Sequence, residues 1–364
     1  LSCGAVPLEA MPSLLEPNPR NLEPLPRNNP KPDFHFGLDE PPLRIQGPPL
    51  RTSEAWGVSH RKSSNLPLRH DHRQRTIVAP AICAGVGVHT GQRVRLAIRP
   101  AAPGIGIVFV RTDITDRDNR IVVSGEAVVD ARLNTMIENS AGTRLSTIEH
   151  LMAAFCALGI SNAVVEVDGP ELPILDGSAL PFVQLLDRAG FRRQALPVRF
   201  IEILEPVHVT DGDKHAALYP CDQYEMRFEI DFASPAVGNQ VIDLVVDEQT
   251  FRDELMAART FGFAHEVEAL RQAGLARGGS LENAVVIDGD EILNPGGLRM
   301  EREFVRHKAL DAIGDLYVLG APLLGRYEGY KAGHALNNAL VRELLANPQA
   351  WRAVTREPEL AMAG

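Results

Sequence analysis

The sequence is poor in cysteine. Its four, Cys3, Cys83, Cys156 and Cys221, stand far apart with no CxxC pair. That spacing suggests neither a zinc ribbon nor a disulfide framework, and it fits a reducing compartment. Long apolar runs are missing too. No stretch reaches the about 18 apolar residues of a membrane span, so no transmembrane helix is predicted. A basic excess is the third absence. The formal net charge is −10. That argues against a general nucleic-acid binder, which needs a basic face, while leaving room for a local basic pocket for a phosphorylated ligand. Leu1-Ser2-Cys3-Gly4 has a faint likeness to a lipoprotein cleavage box. No apolar stretch precedes it, so an over-extended start is expected instead of a signal.

What is present is an ordinary globular composition, 45% hydrophobic and 23% charged over 364 residues. That length suits two domains and a tail. Residues 1–73 hold 13 of the 27 prolines and no sustained period. Such a segment cannot bury enough apolar surface to offset chain entropy, so a disordered tail, dispensable for chemistry, is expected there.

From Thr76 onward the pattern is mixed. Strands are predicted at 77–79, 94–98, 107–110, 121–123 and 163–167, and helices from about 146 and over 181–189. Ser146 and Glu149 have the spacing of a capping box. Gly85 to Gly91, GVGVHTG, has a superficial GxGxxG look. A strand follows it, not a helix, so the reading is a hairpin and not a dinucleotide loop. After a boundary at Leu196-Pro197, strands are expected at 199–203, 216–219 and 225–231, with a helix before Ala258. A strand–helix–strand insertion spans 262–288, broken by Gly274 and Gly278-Gly279. Helices over 304–320 and 337–345 complete the chain. Strands before helices in both halves predict an α+β protein with domains at 74–196 and 197–364, not a doubly wound parallel sheet.

The segment 304–320, FVRHKALDAIGDLYVLG, carries the sharpest signal. Its helical period places His307, Asp311 and Asp315 on one stripe while nearly every other face is apolar. A helix apolar almost all round is buried, and buried carboxylates cost several kcal/mol each unless paired or bound to a cation. A metal ion and a buried salt-bridge network both satisfy that requirement. Glu149-His150 opens another helix. If that helix faces the stripe, His150, His307 and Asp311 form the two-imidazole, one-carboxylate set of a catalytic metal with an open position. Glu149 then stands as a general base, or else only as a cap. His334 follows a glycine and could serve as a general acid, with Asp315 keeping it protonated. Lys308 could stabilise an oxyanion or simply be solvated.

The runs GVGVHTG (85–91), LSTIEHLMAAF (145–155), DGPELPILDGSALPFV (168–183), ARTFGF (258–263), EFVRHKALDAIGDL (303–316) and GHALNN (333–338) resemble those of the UDP-3-O-acyl-N-acetylglucosamine deacetylases. These are zinc amidases that commit the sugar to lipid A synthesis in Gram-negative bacteria. The likeness runs from about Thr76 to Thr355. It implies a two-domain sandwich, each domain a sheet plus a helical layer, with the helices packed between the two sheets and a small βαβ insertion in the second domain. It implies one Zn2+ per chain on His150, His307 and Asp311, with Fe2+ an alternative for such a ligand set. Glu149 would be the general base and His334 the general acid or charged electrophile, with Asp315 its partner. Thr260 and Lys308 would contact the oxyanion. Lys214, Asp231 and Phe232 would meet the nucleotide end, and Phe261 and Phe263 lie in the same TFGF run. Val267, Ala276, Ser280, Leu281, Ala284 and Val286 would line an acyl passage, with Met136 and Ile137 near the metal. The expected partner is a small nucleotide sugar, handled by a cytoplasmic monomer without nucleic acid. Two rivals stay open: an amidase for a different acylated nucleotide sugar, and a non-catalytic binding module of the same fold.

Overall fold

A computed structural model describes residues 73–355 of the chain. The tail expected before them lies outside the described residues. Two principal sheets carry the architecture. The first has five strands in the order Ala81–Val86, Arg93–Pro100, Ala163–Val167, Ile107–Arg111 and Arg120–Val122. The second has seven. Val207–Asp211, Lys214–Tyr219, Leu323–Tyr330, Arg199–Ile203 and Trp351–Thr355 form its path, and Tyr224–Asp231 and Asn239–Val245 extend it from Leu323–Tyr330. The GVGVHTG run is the tip of the antiparallel hairpin between Ala81–Val86 and Arg93–Pro100, as its context predicts.

Among the described residues six helices accompany the sheets: α1 (Glu149–Ala157), α2 (Leu180–Ala189), α3 (Glu248–Thr250), α4 (Ala264–Gln272), α5 (Glu303–Leu316) and α6 (His334–Ala346). α2 packs on strand Ala81–Val86 and touches α1. α1 packs on α5, and α5 packs on α6 and on the strands Tyr224–Asp231 and Asn239–Val245. The layer order is therefore sheet, helices, sheet, the α+β sandwich expected from the sequence. Among the described residues no helix is long and apolar enough to cross a membrane.

α1 reads EHLMAAFCA, good helix formers that are buried at every position but one. α5 is buried except at Arg306 and Lys308, so its polar stripe does lie inside the protein. The two helices approach unusually closely at Gly314, where an added Cβ would lie 2.0 Å from the carbonyl oxygen of Glu149. α5 passes into a 3-10 turn, Tyr317–Leu319, and ends at Gly320 with φ 77°. The insertion forms as predicted: strand Phe261–Phe263, α4, then strand Val285–Asp288, paired in parallel.

Three local expectations change. The capping box does not form, because Thr147 takes a left-handed backbone (φ 60°) and turns the chain between Ser146 and the helix. The N-cap is Ile148, without a side-chain bond. The helix expected before Ala258 is only α3 running into a π-type turn, Phe251–Leu255. α6 begins at His334, three residues earlier than its period suggested, so that histidine is the first residue of the helix. The central strand Leu323–Tyr330 escaped the sequence reading. Its glycines interrupt the apolar alternation, yet a Cβ at Gly325 would lie 2.6 Å from the Ile203 side chain, which explains the interruption.

Candidate active site

Four segments meet where α1 crosses α5. α1 brings Glu149 and His150, buried to 3% and 4% exposure; α5 brings His307, Asp311 and Asp315; α6 brings His334. Strand Met136–Glu138 is preceded by Thr135, which closes the floor.

The ligand atoms of His150, His307 and Asp311 lie within 4.8 Å of one another. Asp311 Oδ1 is 3.4 Å from His150 Nε2 and 3.3 Å from His307 Nε2, and the two rings stand nearly perpendicular with centroids 5.1 Å apart. His307 Nδ1 meets the carbonyl of Ala258 at 3.1 Å. A carbonyl only accepts, so the ring proton sits on Nδ1 and Nε2 turns a lone pair toward Asp311. Burial pushes the His307 pKa down to about 3, which keeps the ring neutral. Asp311 Oδ1 is itself buried and has no hydrogen-bond partner. A lone pair facing an orphaned carboxylate oxygen is repulsive. A cation between them removes the repulsion and completes a two-imidazole, one-carboxylate set. These residues fit a divalent metal.

The other groups are already satisfied by the protein. Burial alone would raise the Asp311 pKa, but the cationic Lys308 and His334 beside it outweigh that and hold the carboxyl well below its usual range. Lys308 Nζ donates to Asp311 Oδ2 at 2.9 Å. Asp315 takes three partners: the Thr135 hydroxyl at 2.6 Å, the Asn337 amide at 2.8 Å and His334 Nδ1 at 2.9 Å. Its oxygens are therefore occupied by protein donors. Burial would depress the His334 pKa, but Asp315 and Asp311 override it and lift the group to about 9. His334 is thus an imidazolium whose Nε2 lies 3.7 Å from Asp311 Oδ2. Glu149 accepts the Thr135 backbone N–H at 3.0 Å, and burial raises its pKa.

The support behind the triad is built from charge. Arg259 donates to Glu303 through its backbone N–H and through Nε and Nη2 of one guanidinium edge, at 2.8 to 3.1 Å, with Glu303 fully buried. This two-pronged pair fixes the chain at Ala258, whose carbonyl orients His307.

Aromatic rings wall one side. Phe261 stands 4.9 Å from Phe304, 5.8 Å from Phe232 and 6.4 Å from the His307 ring, and Phe263 lies 5.7 Å from Phe232. Asp231 lies beside Phe232 and pairs with Lys331 at 3.2 Å. Thr260 is half-buried and pinned by backbone bonds to Gly177 and Val285. Lys214 is exposed at the start of its strand. In the insertion, Ala276 is buried, Val267, Ala284 and Val286 are half-buried, and Ser280 and Leu281 are exposed. Met136 is half-buried, whereas Ile137 is fully buried in the core.

Sequence reasoning missed Thr135, Asn337 and Lys331. Asn337 lies in the quoted GHALNN run, three residues after His334, so a helical-face argument could have found it. Thr135 sits in a short irregular strand region with no periodic signal.

Similar proteins give a consistent picture. A family model described as UDP-3-O-acyl N-acetylglycosamine deacetylase matches residues 74–346. A UDP-3-O-acyl-N-acetylglucosamine deacetylase of Phenylobacterium zucineum (strain HLK1) is 67% identical over 290 residues, covering 80% of this chain and 99% of the relative. Proteins of the same name from Shewanella sp. (strain W3-18-1) and Shewanella sp. (strain ANA-3) are 51% and 50% identical over 288 residues, covering 79% of this chain and 94% of each relative.

Proposed function

The chain belongs to the UDP-3-O-acyl N-acetylglycosamine deacetylase family, and on that premise we propose how its residues divide the work. The enzyme is an amide hydrolase. It removes the N-acetyl group of UDP-3-O-((R)-3-hydroxyacyl)-N-acetylglucosamine, giving acetate and the free amine, the committed step of lipid A biosynthesis.

His150, His307 and Asp311 hold one Zn2+; the same ligand set accepts Fe2+. When bound, the ion supplies Lewis acidity toward the acetyl carbonyl and lowers the pKa of water. Glu149 takes the proton of the attacking water. Thr260 and Lys308 face the carbonyl oxygen as negative charge develops on it. As the C–N bond breaks, His334 gives its Nε2 proton to the departing nitrogen, and Asp315 keeps the imidazolium aimed and charged. Lys214, Asp231 and Phe232 bind the nucleotide end. Phe261 and Phe263 flank the sugar, and Met136 and Ile137 shape the floor. Val267, Ala276, Ser280, Leu281, Ala284 and Val286 line the acyl passage. Leu281 is 41% exposed and Val267, Leu270, Ala284 and Val286 are half-buried, apolar side chains that a lipid chain would cover. The reading takes residues 74–196 and 197–364 as the two domains, with the passage insertion at 262–288, in a cytoplasmic monomer.

The observation that carries this is the orphaned Asp311 oxygen between two imidazole nitrogens. The test is acetate release by metal-stripped protein before and after one equivalent of zinc. Release only with zinc supports the assignment. Metal binding without release points to a different acylated sugar. No binding returns the stripe to a structural role. Glu149→Ala and His334→Ala are each expected to cut kcat by about 10² or more. A wild-type rate in either would remove that residue from its role.

A further inference from the structure

Two of the recognised runs, GVGVHTG and DGPELPILDGSALPFV, supply none of the residues given roles above. They meet at one buried carboxylate. Glu171, 1% exposed, follows Pro170, and its backbone neighbours clasp Ser146: Ser146 N–H donates to Pro170 O and Leu172 N–H to Ser146 O, both at 3.0 Å. The side chain then reaches in two directions. Oε1 accepts the His89 backbone N–H at 2.9 Å and the Thr147 hydroxyl at 3.1 Å. Oε2 accepts the Thr90 backbone N–H at 2.8 Å and the Thr90 hydroxyl at 2.7 Å.

Each arm ends on something the reaction needs. Thr147 holds a left-handed backbone, φ 60°, which a β-branched residue adopts only under constraint. Two residues later α1 begins with Glu149 and His150. The other arm grips the hairpin tip, and that tip accepts the Gly278 N–H on Val88 O at 3.0 Å and the Arg277 N–H on His89 O at 3.2 Å. The turn so held belongs to the insertion. The space is built for the carboxylate: a Cβ on Gly87 would lie 2.2 Å from Glu171 Oε2.

We propose that Glu171 is a positioning residue that locks the left-handed turn at Thr147, and so sets the aim of Glu149 and His150, while tying the hairpin tip and the passage turn to the same point. This rests on the metal-site reading given above. Its chemistry requires a carboxylate. Each oxygen meets one backbone N–H, so an amide of the same shape must face one N–H donor with its own NH2 group.

The experiment compares wild type, Glu171→Gln, and Glu171→Gln combined with Thr147→Gly. Zinc affinity by chelator competition, melting temperature, kcat and KM are read for each. Glu171→Gln is expected to lower zinc affinity and kcat about tenfold. Adding Thr147→Gly is expected to return at least threefold of the kcat, because glycine holds a left-handed turn without a hydroxyl anchor. A folded Glu171→Gln enzyme with wild-type zinc affinity and kcat overturns the proposal. So does a loss that Thr147→Gly leaves untouched, since that marks a general packing role. If Glu171→Gln does not fold, Thr147→Val, which deletes one hydroxyl and keeps the shape, must lower kcat and zinc affinity; wild-type values overturn the proposal. Wild-type protein that binds no zinc sinks the metal reading instead, and the recovery of kcat by Thr147→Gly still decides the role of Glu171.

Discussion

At the scale of single residues, a count of bonds distinguishes the proposed ligand Asp311 from the proposed anchor Asp315. Asp311 has an oxygen with no hydrogen-bond partner, whereas Asp315, one turn away, has three donors. The two aspartates should therefore respond differently to substitution. Asp311→Asn is expected to abolish stoichiometric metal binding, measured by metal analysis of the purified variant. Thr135→Val removes one donor from Asp315 and is expected to lower kcat about tenfold while metal affinity stays at the wild-type value. A metal affinity that falls in step with kcat would place Thr135 with the ligands instead. The stripe of His307, Asp311 and Asp315 was legible because a helical period exposes its polar members against an apolar background. The bond count was not, since Thr135 reaches Asp315 across 180 positions of sequence. Nothing in the periodicity of one segment reports a donor arriving from another.

Elements tell a similar story through their glycines. Glycine inside a helix normally costs about 1 kcal/mol against alanine, so Gly314→Ala in an isolated α5 would stabilise it. In the folded chain the sign should reverse, because the new Cβ would meet Glu149 O at 2.0 Å. The expected result is a loss of about 2 kcal/mol in denaturant unfolding together with a fall in kcat greater than tenfold. An unchanged or raised stability would mean that α1 and α5 separate without cost. The helices α1, α2 and α5 and the insertion were readable from pattern, as was the hairpin. Strand Leu323–Tyr330 was not, because Gly325 is there to admit Ile203, which arrives only in the assembled sheet, and Gly329 leaves room for the Tyr327 ring. The capping box at Ser146 failed for a comparable reason. Local spacing allowed it, but the left-handed Thr147, braced by the buried Glu171, redirects the chain.

For the whole molecule, the family match begins at residue 74 and the first described strand at Arg73. Removal of residues 1–72 is accordingly expected to leave kcat/KM within about twofold of the full chain, measured by acetate release. A larger loss would give the tail a part in the chemistry. Metal stripping should act globally as well. A ligand that binds only the folded state at a hundred times its Kd adds about 2.7 kcal/mol, so metal-free protein should melt several degrees lower and recover on reloading. Identical melting curves would argue that the triad holds no ion.

Among the described residues two glycines, Gly177 and Gly314, would each bring a Cβ within 2.0 Å of a carbonyl oxygen, and the approach of Gly314 to Glu149 lies between a helix of the first half and a helix of the second. His150 belongs to one side of that seam and His307 and Asp311 to the other. Neither side alone owns a complete coordination sphere. An ion held as proposed would be a rivet between two plates, and parting them would strip it of ligands from one side. The effect of denaturant on its escape rate would then read how easily the plates part, with a chelator in a cuvette and without any substrate.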